Sequence, residues 1–205
     1  MYQIITGTII VSILHALIPS HWIPLLSVSK TLNWTKYETL KVTFLVGLCH
    51  VLSSILLGIL IGFIGFKLNL EFQAIFKLAG PILLIIMGVY FVYRHHTHHH
   101  FQLDNELMEP PIRKKQLILS LMMFMLLSPC IEIEAFFFAA GSYGLYPLLM
   151  VAIIYALFTL AGMLLWVDIS WRGMQKLNFH KVEHSAGLIT GIVIILTGIV
   201  SLFLN

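Results

Sequence analysis

Six apolar stretches, each long enough to cross a bilayer as a helix, dominate this chain: 4–28, 42–66, 73–93, 116–139, 145–168 and 186–204. A spanning helix needs about 20 mostly apolar residues. Backbone in hydrocarbon must satisfy its own hydrogen bonds, so only helices and closed barrels span membranes. Barrel strands alternate polar and apolar residues over about ten positions. These runs do not alternate and are too long for strands. The sequence therefore predicts an all-α integral membrane protein with six transmembrane helices. Composition agrees. Only 10% of residues are Asp, Glu, Lys or Arg and 59% are hydrophobic, where a soluble domain carries roughly 25% charged residues. An ordinary soluble enzyme and a disordered chain are both excluded. Two cysteines are too few for a disulfide framework.

The first stretch reads as a span and not as a cleavable leader. It lacks a basic start and contains His15, Pro19, His21 and Pro24. Orientation follows from the loops. Ten of the twelve Lys and Arg lie in 29–41, 94–115 and 169–185, and only Lys67 and Lys77 fall on the other side. Positive residues stay inside, so the expectation is a multi-pass protein of the cell (inner) membrane, with both termini outside and the loop 94–115 cytoplasmic. Trp34, Trp166 and Trp171 fall near the inner interface, where aromatic belts sit. The basic residues occupy short loops and form no stripe, so no nucleic-acid partner is expected. The expected partners are the lipid bilayer and a metal ion.

The chain hints at an internal repeat. Pro19 and Pro129 are 110 residues apart, and so are Gly88 and Gly198. An odd number of spans per repeat inverts one half against the other, a common transporter plan with its site where broken helices meet near the midplane. The expected division is a first three-helix repeat over 1–93, a His-rich cytoplasmic loop over 94–115 and a second repeat over 116–205. Helices one and four are the broken ones.

Ten histidines in so apolar a chain are unusual. His15 and His21 sit six residues apart, about 120° around a regular helix, so an unbroken helix would not aim both at one ion. Pro19 lies between them and Pro24 follows. Each removes the hydrogen bond to the carbonyl four residues earlier, freeing those of His15 and Ser20. Such backbone survives at membrane depth only when buried in protein or lining a polar cavity. His50 in the second span is a third candidate ligand, with Ser53 and Ser54 as local alternatives for it. In the fourth span Pro129 frees the carbonyl of Met125, and Cys130, Glu132 and Glu134 follow. Carboxylates inside spans mark ion or proton pathways by default. The expected metal ligands are therefore His15, His21, His50, Glu132 and Glu134, spread as a ladder across the bilayer. Pro19, Ser20, Pro24, Pro129 and Cys130 mark the broken helices where gating belongs. Imidazole with carboxylate suits nickel, cobalt, zinc or iron as substrate, and the absence of paired thiolates argues against copper(I). A secondary loop site is expected at His95, His96, His98, His99 and His100, since His-rich tracts bind metals.

At HALIPSHWIPLL the chain resembles the nickel/cobalt transporters of the NicO and NiCoT type, within the wider LysE-like superfamily. Those families carry a histidine in a His-Ala-Leu context and a second histidine, preceded by Asp or Gly, in the first broken helix. His15 and His21 match the two histidines, and Ser20 stands in the Asp or Gly position. His50 resembles the histidine of their second span, and SPCIEIEAFF resembles the proline-broken helix that opens the second half. The resemblance implies a non-enzymatic transporter of divalent transition-metal ions, with a rocking motion of one half against the other. A cytoplasmic histidine loop suits export, by capturing ions, and equally import, by buffering them. Three other readings compete: a thiol–disulfide electron conduit like the membrane domain of DsbD, which needs Cys49 and Cys130 to meet; an intramembrane metalloenzyme; and a LysE-like exporter of organic solutes.

Overall fold

The computed structural model describes residues 2–67, 70–97, 114–130, 132–173 and 179–204. Eight α-helices and no strand make up these residues: α1 (Tyr2–Ala16), α2 (Pro19–Thr31), α3 (Lys36–Lys67), α4 (Leu70–Thr97), α5 (Lys114–Leu126), α6 (Glu134–Ser142), α7 (Leu145–Gly173) and α8 (Phe179–Leu204). Among the described residues, four segments are long and apolar enough to cross a membrane: Tyr2–Thr31, Lys36–Lys67, Leu145–Gly173 and Ser185–Leu204. The apolar part of α4 covers Leu78–Tyr93.

Both expected breaks are present. Pro19 has no N–H to give the carbonyl of His15, and the residue before a proline is driven out of helical geometry. Ile18 accordingly sits at φ −63°, ψ 115°. Its N–H closes a tight turn on the His15 carbonyl at 3.0 Å, and Pro19 then opens α2 at a position that tolerates it. The second break lies between the end of α5 at Leu126 and the start of α6 at Glu134, with Pro129 inside it.

The distribution of side chains suits a membrane protein. Leu52, Leu56, Leu60 and Phe63 of α3, Ile82, Leu83 and Ile86 of α4, and Leu149, Ile153 and Leu157 of α7 face outward and are exposed. The polar residues go inside. Thr8 and Ser12 of α1, Thr39, Thr43, His50 and Ser54 of α3, Thr159 of α7, and Thr197 and Ser201 of α8 are buried. Apolar surface of this extent is a liability in water and an asset against acyl chains.

Helices approach closely where glycines allow it. A Cβ on Gly141 of α6 would run into the backbone of Gly62 on α3. Gly141→Val is therefore expected to cost about 1–3 kcal/mol by overpacking, read as a lowered unfolding midpoint in detergent. Gly80→Ala, whose Cβ would meet only Ala135 Cβ at 3.6 Å, is expected to leave that midpoint unchanged. Where α4 crosses α8, a Cβ on Gly88 would meet Ile195 and the Gly191 carbonyl, and one on Gly198 would meet Ile85 and the Pro81 carbonyl.

The basic end of the bundle is tied by ion pairs. Thr35 and Glu38 cap α3 reciprocally: the Glu38 carboxylate accepts from the Thr35 N–H at 3.0 Å, and the Thr35 hydroxyl accepts from the Glu38 N–H at 3.3 Å. Lys114 at the start of α5 reaches Glu38 at 2.6 Å and lies over the Trp34 ring. Asp168 of α7 pairs with Lys36 of α3 and with Arg172 one turn on.

Candidate metal centre

Three of the four groups that meet at the centre arrive because of the two breaks. His15 lies in the last turn of α1, and His21 lies in the first turn of α2. The turn at Leu17–Ile18 folds the second imidazole back on the first, with ring centroids 4.5 Å apart. His50 comes from the buried face of α3, between Thr43 and Ser54. Cys130 comes from the non-helical segment after Pro129, where its backbone N–H donates to the Ser54 hydroxyl at 3.0 Å. That bond pins the segment to α3 one turn beyond His50. The Met125 carbonyl, freed by Pro129, accepts instead from the Ser128 N–H and lies 3.4 Å from His50 Nδ1.

The donor atoms converge. Cys130 Sγ is 3.1 Å from His15 Nε2, 3.1 Å from His50 Nε2 and 3.6 Å from His21 Nε2, and His15 Nε2 is 3.3 Å from His50 Nε2. All four ligand atoms lie within 4.8 Å of one another, and all four residues are buried. Around a tetrahedral first-row ion with bonds of about 2.0–2.1 Å to nitrogen and 2.3 Å to sulfur, ligand atoms sit roughly 3.3–3.6 Å apart. The group is thus the right size to hold one metal ion.

The ring atoms behind the ligands fit the same chemistry. Metal-bound imidazoles usually engage a carboxylate or carbonyl through the other ring nitrogen, which fixes tautomer and orientation. His15 Nδ1 faces Glu132 Oε2 at 3.5 Å, and His50 Nδ1 faces the Met125 carbonyl. His21 Nδ1, like His15 Nδ1, is buried without a close hydrogen bond, and the Ile18 carbonyl lies beside it. Tyr155 of α7 closes the centre on one side, its ring centroid 6.0 Å from that of His15 and its hydroxyl buried.

The expected ladder is a compact cluster. His15, His21 and His50 come together because the break at Ile18 reverses the divergence that an unbroken helix would impose. Glu132 stands behind His15, outside the four ligand atoms. Glu134, in the first turn of α6, is buried with neither oxygen hydrogen-bonded, and it is not one of the four. Both carboxylates are inside the protein. Of the residues expected at the breaks, Pro19 opens α2, Pro24 lies within α2, Ser20 is exposed, and Pro129 precedes the thiol. Cys49 is half-buried and not one of the four; adjacent residues on a helix point about 100° apart. His98, His99 and His100 lie outside the described residues, as do the side chains of His95 and His96 at the end of α4.

Sequence reasoning placed Cys130 at the break and not among the ligands. The signal was present, since a cysteine directly after a helix-breaking proline in an apolar span has a freed backbone to aim it. Ser54 and Tyr155 carried no comparable signal.

Hydroxyls lead away from the cluster along two helices. Thr8, Ser12 and His15 repeat at helical spacing on one buried face of α1, and Thr39, Thr43, His50 and Ser54 do so on α3. Ser29 of α2 joins the second line through a hydroxyl–hydroxyl bond with Thr39. The described residues are thus all-helical, with membrane-length apolar helices around a buried His3Cys group that can bind a metal ion. No protein-family model, no curated protein and no solved structure matches the chain.

Proposed function

We propose that this protein transports divalent transition-metal ions across the cell membrane, with His15, His21, His50 and Cys130 as the binding site. Glu132 and Glu134 act near the site and not in it. The single observation that carries the reading is the convergence of three imidazoles and a thiol at the meeting of two helix breaks. Depth supports it. His15 lies 13 residues from the start of α1 and His50 lies 14 from the start of α3, which is about 20 Å in each case at 1.5 Å per residue. Those two helices begin at opposite ends of the bundle, so the site sits near mid-membrane, with a hydroxyl line toward each face.

The architecture we infer is six spans in two inverted repeats, 1–93 and 116–205, joined by the His-rich loop. Each half reads as a broken span followed by two further helices: α1–α2, α3, α4 and α5–α6, α7, α8. The crossing of α4 and α8 supports the symmetry. Gly88 meets Ile195 and Gly191, and Gly198 meets Ile85 and Pro81. Adding 110 to one set and subtracting it from the other exchanges them. In this orientation the termini face outward and the loop faces the cytoplasm. The likeness to NicO and NiCoT proteins favours nickel or cobalt, with zinc and iron as other substrates the donor set accepts. The reading is of a carrier and not an enzyme, since four protein donors leave no open position for a reacting water.

A resident structural ion would have the same ligands, and exchange separates the two. In protein lacking residues 95–100, about one nickel, cobalt or zinc ion per chain is expected to bind and to exchange with free ion. His50→Ala is expected to abolish that binding. Proteoliposomes of the full chain with a metal-sensitive dye inside are expected to report ion entry that His50→Ala stops. An ion that resists exchange, or vesicles that stay dark, would overturn transport.

A further inference from the structure

We propose that the four ligands divide three and one: His15, His50 and Cys130 hold the ion, and His21 is the ligand that lets it go toward the basic end of the bundle. This inference rests on the metal-site reading above. The three holding groups form a tight triangle, with separations of 3.1, 3.1 and 3.3 Å. Each is braced by another helix or segment: His15 by Glu132, His50 by the Met125 carbonyl, and the Cys130 backbone by Ser54. His21 stands off at 3.6 Å from the thiol. Neither its Nδ1 nor that of His15 makes a close hydrogen bond, but His15 Nδ1 faces a carboxylate from another segment, whereas His21 leans on the carbonyl of Ile18, the cap of its own helix. His21 is also the most exposed of the three imidazoles, at 8% against 2% and 0%.

The local fold lets that imidazole move alone. α2 has 13 residues and joins α1 only through Leu17 and Ile18. His21, Leu25 and Ser29 recur every fourth residue on its buried face, and Ser29 fastens the far end to Thr39 of α3. A swing of α2 about Ile18 breaks the Ser29–Thr39 bond, lifts Leu25 from its cluster with Val42, Val46, Met125 and Met163, parts the Trp22 ring from Trp166, and withdraws His21. His15, on the other side of the turn, stays in place. The ion is then left on three ligands with its fourth position open beside the hydroxyl line of Thr43 and Thr39.

The test uses cobalt(II) added stoichiometrically to the purified full chain, because a thiolate-to-cobalt charge-transfer band reports the Cys130 site and ignores the histidine loop. His21→Ala is expected to keep that band and to release cobalt to a chelator at least about tenfold faster. Added imidazole is expected to refill the fourth position and slow release again. His21→Gln, closer in shape, is expected to behave alike and guards against a folding defect. His15→Ala and His50→Ala are expected to lose the band. If His21→Ala and His21→Gln lose it as well, or if release is unchanged, the division is wrong. A wild-type chain with no such band would overturn the metal site itself.

Discussion

Cys130→Ser is expected to weaken binding of a divalent transition metal by at least about 100-fold, the upper end of what losing a mere supporting partner costs. The thiol is the only group of the four that becomes an anion on binding. Three neutral imidazoles alone leave two positive charges in a low-dielectric interior, and the thiolate cancels one of them. Serine keeps the shape and keeps the Cys130 backbone bond to Ser54, which involves the N–H and not the side chain. The fold should therefore persist, with unchanged helicity and unfolding midpoint. Titration against a competing chelator measures the loss, and disappearance of the charge-transfer band in the cobalt form identifies its cause. Undiminished affinity would remove the thiol from the site. Cys49→Ser is the matched control and should change nothing, because that half-buried thiol is not one of the four. Full activity in it would also remove the thiol–disulfide reading, which needs both cysteines.

The helices were legible because hydrocarbon imposes one simple rule, and the spans from 42, 145 and 186 fall inside α3, α7 and α8. The breaks were legible for an equally local reason: proline lacks an N–H, and Pro19 and Pro129 act on carbonyls that the sequence already names. Long-range placement was not legible. That His15 and His21 can face one ion depends on the turn at Ile18, and spacing alone could only show that an unbroken helix forbids it. That Cys130 joins them depends on Ser54 catching its N–H, a contact between positions 76 residues apart. The position of the carboxylates relative to the four donors was not legible for a related reason. Two acids at i and i+2 look like ligands until the segment holding them is seen to present its thiol first. Glu132 is then left to back His15, and Glu134 to start α6.

Glu132→Gln is expected to change which ions the site prefers, not only how tightly it binds. A divalent ion on one thiolate and three imidazoles carries a net charge of +1, and a buried net charge is costly unless something opposite lies near. Glu132 is the carboxylate closest to the ligands, 3.5 Å behind His15, and with it the set sums to zero. One unit charge about 5–7 Å away, with an effective dielectric near 20, is worth roughly 2–3 kcal/mol, or about two orders of magnitude in affinity. Glutamine keeps the volume and removes the charge. Nickel, cobalt and zinc should then bind about 50-fold more weakly. Silver(I), a monovalent ion whose complex with the thiolate is already neutral, should bind no worse than in the wild type. The ratio of zinc to silver affinity is the quantity to measure, since a variant that merely loosened the site would lower both. Glu134→Gln should shift the ratio less, because neither Glu134 oxygen touches a ligand. Equal losses for zinc and silver in Glu132→Gln would mean that this carboxylate only orients His15 and that the charge is balanced elsewhere.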